Sequence, residues 1–485
     1  MFKIYKIISL FIAILLFLSK NIFAKEFVLH SQDSVNYKFI TTGNASLTGV
    51  AFSQEESYRK SFLPDQLSKN YYKVGYHLVA NSEINLGLER KSNDNILDIL
   101  ANFKFNIDST KRKRNPYLDK IAIGQDNKFG RFEIGNIEAV NQKMKYDPAK
   151  FARGAGGIRG KYLEYVNLPI IANYNQSING VCQNNISDSD CKNIKVPGFI
   201  LLAQSPIGHG GYSQSYNSKF LNNNSIIHHD SYSKELLRST KDDSFDGKED
   251  ATKISYFSPD FNGLKFGFSY TPNSNDNGLT KNITDWYNEI EIKNIFSAGI
   301  NYLYYLPNGA SIAISSTFEK GTNVQHNIED LLAYDFAINM NYFGFDLGFS
   351  YGIWQKYSKP KNGIYSCPYN SSQQFSNQDC SNNNLKYKKP YYIAAGLAYE
   401  FGPFATSITS FNSNFHNNKF NVLSLGVDYK LQKYLIPYFE ITNFSFESDQ
   451  PIASDIVDQL SISPNDRQVR DNNGMIFLTG ISYIF

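Results

Sequence analysis

The sequence predicts an all-β fold, a transmembrane antiparallel β-barrel of about 16 strands with long extracellular loops and short periplasmic turns. Three observations predict it. Apolar and polar residues alternate with period two in segments of about ten residues. Turn residues separate these segments at alternately short and long intervals. The composition is aromatic-rich and polar at once, with 34 Tyr and 37 Phe against 2 Trp and 19% charged residues, which suits a wall greasy outside and wet inside.

The chain opens on Met1-Phe2-Lys3-Ile4-Tyr5-Lys6, runs apolar from Ile7 to Leu18, and reaches Asn21-Ile22-Phe23-Ala24. A basic start, a short apolar run and a small residue before a polar segment predict a signal peptide over residues 1–24, cut after Ala24. An uncleaved anchor is the alternative, but spanning a bilayer takes about 20 apolar residues. Loss of Lys3, Lys6 and Lys20 would take 48 basic residues to 45, level with the 45 acids. A neutral mature chain has no overall electrostatic reason to bind nucleic acid. Residues 25–485 then form one barrel domain, since Lys, Asp, Asn or Ser interrupts every later apolar run before it reaches the length of a membrane-spanning helix.

Leu264, Phe266, Phe268 and Tyr270 fall on one face of their segment, with Lys265, Gly267 and Ser269 on the other. The same division separates Phe296, Ala298, Ile300, Tyr302 and Tyr304 from Ser297, Gly299 and Asn301. It also separates Phe343, Phe345, Leu347, Phe349 and Tyr351 from Gly344, Asp346, Gly348 and Ser350, and Tyr391, Ile393, Ala395, Leu397, Tyr399 and Phe401 from Ala394, Gly396, Ala398 and Glu400. Strands are expected near 37–51, 79–91, 96–108, 119–126, 129–136, 251–258, 263–271 and 295–305. A second set is expected near 310–319, 332–342, 343–354, 390–401, 402–411, 420–431, 434–446 and 474–485. The even count suits a closed barrel. Short turns at Ser92 to Asn95, Asp126 to Lys128, Pro259 to Asn262, Leu306 to Gly309, Gly402-Pro403 and Gln432-Lys433 are expected to alternate strictly with long polar loops. That puts both chain ends on the periplasmic side. A soluble β-sandwich or β-helix would hide its greasy faces in a packed core and has no need of such alternation.

Cys182 with Cys191 and Cys367 with Cys380 are close in sequence, each pair inside an Asn/Ser-rich loop. In an exported chain this reads as two loop-tying disulfides, and a zinc site would want tighter Cys/His spacing.

The chain ends Met475-Ile476-Phe477-Leu478-Thr479-Gly480-Ile481-Ser482-Tyr483-Ile484-Phe485. This resembles the C-terminal signal of outer-membrane barrels, with Ile481, Tyr483 and Phe485 as the residues that direct membrane insertion. The resemblance implies the barrel assembly machinery as a partner. Two hairpins narrow the family. Ile121-Ala122-Ile123-Gly124-Gln125 followed by Phe129-Gly130-Arg131-Phe132-Glu133-Ile134-Gly135-Asn136 resembles the hairpin before the third loop of Gram-negative porins. Ile254-Ser255-Tyr256-Phe257-Ser258-Pro259 through Phe266-Gly267-Phe268-Ser269-Tyr270 is similar to the hairpin that follows it.

The resemblance, to 16-stranded general diffusion porins of alphaproteobacterial type, implies a third loop folded into the barrel. It also implies a homotrimer in outer-membrane lipid and lipopolysaccharide, and passage of small hydrophilic solutes. Here the third loop would span about 137–250, and only its part up to about Leu168 is expected at the constriction. Glu138, Asp147 and Glu164 are its acids, while Lys143, Lys145, Lys150, Arg153, Arg159 and Lys161 are its bases. Alternation puts Lys38, Lys104, Arg131, Lys253, Lys265 and Lys430 on the lumen wall, with Glu89, Asp98, Glu133, Asp335, Asp346, Glu400, Asp428 and Glu440. A basic loop would then face an acidic wall, the reverse of the usual family arrangement; the alternative is that most of these charges are merely solvated. Gly154, Gly156 and Gly157 mark the sharpest bend. Without a strand-to-helix context or a Gly-Lys-Ser pattern they do not read as a phosphate cradle.

Lys111-Arg112-Lys113-Arg114, in the second outer loop, could meet lipopolysaccharide phosphates or a neighbouring subunit, or be a solvated charge run. The seven histidines are scattered, and adjacent His228-His229 are poorly spaced to share one metal ion. No catalytic order of residues stands out, so no enzyme and no cofactor are expected. A passive diffusion channel is the leading expectation. The alternatives are a surface adhesin or antigen that displays long loops on a barrel, and an outer-membrane enzyme such as a phospholipase.

Overall fold

The computed structural model describes residues 27–30, 35–55, 75–92, 95–108, 117–152, 155–159, 162, 165–166, 173–174, 194–195, 251–273, 292–323, 329–355, 389–415, 418–431, 435–447 and 471–484. Sixteen antiparallel strands close into one barrel. They are β1 Val35–Gln54, β2 Tyr76–Ser92, β3 Asn95–Asp108, β4 Tyr117–Asn127, β5 Gly130–Asn136, β6 Thr252–Phe257, β7 Leu264–Asn273 and β8 Ile292–Tyr305. The circuit continues with β9 Ser311–Asn323, β10 Leu331–Tyr342, β11 Phe345–Trp354, β12 Tyr391–Phe401, β13 Phe404–Phe415, β14 Asn418–Tyr429, β15 Leu435–Glu447 and β16 Asn472–Ile484. Each strand pairs with its sequence neighbour, and β16 closes on β1 with Leu478 opposite Val50 and Ile484 opposite Asn44. Closure satisfies the backbone amides and carbonyls in the sheet, as a hydrocarbon surround demands.

The period-two pattern sorts side chains as the sequence predicts. Phe268, Tyr270, Phe296, Ile300, Phe336, Phe345, Leu347 and Phe349 stand exposed on the outer face. Ser269, Ser297, Thr317, Asp346 and Ser350 between them are buried on the inner one. A charge on the outer face would have to enter lipid. Phe336 lies six residues from the turn at Phe343-Gly344, at mid-height of the wall. Replacing it with Arg is expected to cost about 2–4 kcal/mol in lipid; folding titrations in bilayers would measure this, and Ser350→Arg on the inner face is not subject to the lipid penalty.

Aromatic rings gather where the chain turns tightly. Phe345 stacks on Tyr399 at 4.2 Å, Tyr399 on Phe401 at 5.6 Å, Phe401 on Phe404 at 5.4 Å, and Phe404 packs against Tyr429 at 4.7 Å. On the other flank Phe132 meets Tyr256 at 4.9 Å and Tyr302 meets Tyr304 at 6.1 Å. Such a girdle suits the headgroup region at the edge of the apolar band. At Phe343-Gly344 both residues have positive φ, 46° and 80°, so the two-residue hairpin twists with its strands, and the Gly takes a conformation that most side chains disfavour.

Two features differ from expectation. The alternation of short and long connections is not strict, because β13 and β14 extend until only residues 416–417 separate them. Pairing continues to Phe415 opposite Asn418, through the polar positions Asn412, Ser413 and Asn414 that read as loop. The second is a short strand, Phe27–His30, that pairs with Asn36 to Phe39 of β1. It occupies the flank of β1 that β16 leaves once its pairing ends at Asn44.

Candidate functional site

The third loop leaves β5 at Ile137 and follows the inside of the wall strand by strand. Its first turn is anchored on both sides of the point of departure: Lys120 of β4 bonds to Glu138, and Lys253 Nζ of β6 donates to the carbonyl of Ile137. A one-turn helix α1, Val140–Lys143, comes next. The Val140 amide donates to Ser269 Oγ of β7 at 3.2 Å, and Asn301 of β8 donates to the Met144 carbonyl at 3.2 Å. The helix can lie this close because Gly267 and Gly299 face each other in register beneath it. A Cβ on Gly267 would stand 3.0 Å from the Met144 sulfur, and one on Gly299 would stand 3.1 Å from Met144 Cβ.

Beyond α1 the Tyr146 amide donates to Ser315 Oγ of β9 at 2.9 Å. Pro148 and Phe151, in a 3-10 turn over Pro148–Phe151, settle on a second in-register glycine pair, Gly348 of β11 and Gly396 of β12. Ala152 passes over Gly426 of β14. Gly156 and Gly157, at φ 100° and 58°, turn the chain so that the Gly157 amide donates to Glu440 Oε2 of β15 at 2.7 Å. The run comes round to the first strands of the barrel at Tyr165, whose carbonyl accepts from Gln54 of β1 at 2.7 Å and whose ring packs against Phe52 and His77. The described residues between Ile137 and Val166 therefore form an inner belt running from β5 round past β16 to β2.

The belt changes character along its length. Its first half is polar and charged, whereas Ala155, Ile158, Tyr162, Tyr165 and Val166 pack with Trp354, Tyr392, Phe411, Phe420, Phe444 and Ile476 of the inner wall in one apolar cluster. Buried aromatic rings on the lumen side of β11 to β16 are unusual for a surface that period-two reading treats as wet. They are there because the belt covers them.

Charges along the first half are held in contact. Arg131 of β5 reaches Asp98 of β3 at 2.8 Å, Asp126 of β4 at 2.8 Å and its own strand's Glu133 at 2.7 Å. It lies over Gly124, where a Cβ would collide with the guanidinium. Lys143 of the belt bonds to Glu133 and sits 5.4 Å from the Phe257 ring centre. Lys145, fully buried, bonds to Asp335 of β10 at 2.9 Å and lies 3.4 Å from Asp147. It also donates to the Tyr392 hydroxyl, which donates in turn to Asp335.

Among the described residues, the ion pairs between loop and wall run in both directions. Lys143 and Lys145 do meet wall acids, but Glu138 meets a wall base, and all three make direct contacts instead of facing their partners across water. Buried pairing is favoured because a lone charge costs several kcal/mol to desolvate. Among the predicted wall residues, Arg131, Glu133, Lys253 and Lys265 point inward and are buried. Lys104, Lys150 and Arg159 are described only in backbone. Arg153, Lys161, Glu164, Phe485, the four cysteines and the Lys111 to Arg114 run lie outside the described residues. Ile481 and Tyr483 take their places on β16, opposite Leu47 and Ala45 of β1. Lys120, Asp126 and Tyr392 join the site without having been singled out from the sequence. Strict alternation from Ala122 and Gly124 would have placed Lys120 and Asp126 on the inner face, and Tyr392 follows from Ala394 in the same way.

The family profile of Gram-negative porins matches residues 70–449. The chain belongs to the Gram-negative porin family. Relatives of this porin include uncharacterized proteins of Rickettsia bellii, 23% identical over 399 residues, and of Rickettsia prowazekii, 22% identical over 399 residues. Each match covers 72% of this chain and 75% of the relative. Among solved structures, the anion-selective porin from Comamonas acidovorans aligns with a TM-score of 0.47 at 9% identity, covering 93% of this chain and 100% of that one. The outer membrane channel DcaP of Acinetobacter baumannii aligns with a TM-score of 0.46 at 9% identity, covering 94% and 99%. Family membership and the barrel together imply the bacterial outer membrane as the porin's location. Among the described residues no group of His, Cys, Asp and Glu is placed to hold a metal ion.

Proposed function

We propose that this porin is a passive, non-enzymatic diffusion channel for small hydrophilic solutes and ions across the outer membrane. The observation that carries the reading is the course of the third loop. It follows the inner wall by charge pairing, glycine contact and apolar packing instead of entering as a freely hanging segment, and so narrows a barrel of channel-forming strand number. A belt of that kind sets a width and leaves transport to diffusion, which needs only water and a charge pattern.

We also propose that the porin is a homotrimer. The outer face of β1 carries Gly43, Ala45, Gly49 and Ala51 around a single Leu47, with Ser82 of β2 opposite Ala45, Ala80 of β2 opposite Leu47 and Thr479 of β16 opposite Gly49. A smooth, small-residue surface suits close approach by another barrel better than it suits lipid.

Single-channel recording on the refolded mature protein in a planar bilayer tests both proposals. Steps in groups of three are expected, with a reversal potential in a salt gradient that reports which ion the constriction prefers. A folded barrel that stays silent would overturn the channel reading in favour of loop display, and single unitary steps would overturn the trimer.

A further inference from the structure

The belt meets the wall through a fully buried cation at Lys145. Its ammonium is fully buried between Asp335 of β10 at 2.9 Å and the belt's own Asp147 at 3.4 Å, both also fully buried. The Tyr392 ring lies 4.6 Å beneath the charge, and its hydroxyl joins Lys145 to Asp335. Gly352, on the strand next to Tyr392, leaves the room this ring occupies, since a Cβ there would stand 2.1 Å from it. Tyr392 in turn packs on Trp354 at 6.0 Å and Phe411 at 5.7 Å, in the cluster that receives the belt's apolar second half. One cation therefore joins the polar half of the belt, the apolar half and two wall strands.

Substituting this cation brings the Asp147 and Asp335 carboxylates together without the charge between them. Two carboxylates at such range in a buried site repel, and one of them rides on the belt and the other on the wall. The stretch between the two glycine pits is then pushed off the wall toward the barrel axis. We propose that Lys145 is a latch, and that the belt has a second, wall-detached position in which the lumen is obstructed. The detached state's effect on conduction rests on the channel reading above; the latch itself does not.

Ala152 and Gly426 provide a direct reporter. A Cβ on Gly426 would lie 3.4 Å from Ala152 Cβ, close to disulfide range, so an A152C/G426C pair can oxidise only while the belt is docked. In the refolded full-length barrel, mass spectrometry of the peptide joining positions 152 and 426 gives the cross-linking rate. Adding K145M is expected to slow it by at least about ten-fold, and adding Y392F, which keeps every charge, by about two- to three-fold. In bilayers K145M is expected to shorten open times, with recovery once the cross-link has formed. Unchanged cross-linking in both variants overturns the latch, and Y392F decides the matter if K145M does not fold. Slowed cross-linking in a protein whose wild-type form never conducts would leave the latch standing and remove the channel.

Discussion

Replacing Gly348 with Val is expected to lift the belt from the wall and to lower barrel stability by about 1–3 kcal/mol, the usual cost of overpacking a filled site. A Cβ at this position would stand 2.8 Å from Phe151 Cζ, 2.8 Å from Pro148 Cβ and 2.4 Å from the Asn339 side-chain oxygen. The Asn339 side chain can rotate aside, but the two belt groups have no easy retreat, because Pro148 is rigid and Phe151 is buried. Gly396 lies directly opposite and touches the same two belt residues. Once Gly348→Val has displaced the belt, Gly396→Val has little left to disturb, so the double variant is expected to cost clearly less than the sum of the two singles. Gly267→Val acts on α1 at the other pit and is expected to add more nearly in full. Urea titrations followed by tryptophan fluorescence would measure the single and combined variants, since Trp354 is buried in the cluster under the belt. Full additivity at Gly348 and Gly396 would mean that the pits are not seats for a shared load.

The same pits show where sequence reading stops. Barrel strands and their inward and outward faces were legible because each strand carries its own period-two signal and needs only its neighbours. Gly267, Gly299, Gly348 and Gly396 were correctly placed on the inner face, yet nothing local distinguishes a glycine that leaves room for water from one that receives a proline ring. That distinction depends on residues more than 100 positions away in the chain. The same holds for charge. Alternation placed Arg131, Glu133 and Asp335 inward, but loop geometry decided that Lys145 would touch Asp335 and that Glu138 would find Lys120. The aromatic inner wall at Trp354, Phe411 and Phe444 was least legible, since a lumen face is expected to be polar and these residues are accounted for only by a belt that buries them.

Arg131→Met is expected to have the largest effect on this porin, about 3–5 kcal/mol, because it removes one partner of a buried ionic cluster and leaves the others in place. The guanidinium holds three carboxylates from three consecutive strands, Asp98 on β3, Asp126 on β4 and Glu133 on β5, at 2.7–2.8 Å, and is itself almost wholly buried. Lys143 reaches only Glu133. Methionine fills much of the volume, so the loss measures electrostatics more than packing. Arg131→Lys keeps the charge but has no planar fork to meet three acceptors from one centre, and is expected to recover less than half of the loss. Neutralising the acids that Lys143 does not reach, as Asp98→Asn with Asp126→Asn in the Arg131→Met background, is expected to recover more than Arg131→Lys does. That order separates two accounts of the cluster. If charge balance is what matters, removing the acids restores the barrel; if the guanidinium serves as a tie between β3, β4 and β5, the triple variant stays as weak as Arg131→Met alone. Folded fraction against urea in bilayers, read by gel mobility for all four proteins, distinguishes the two.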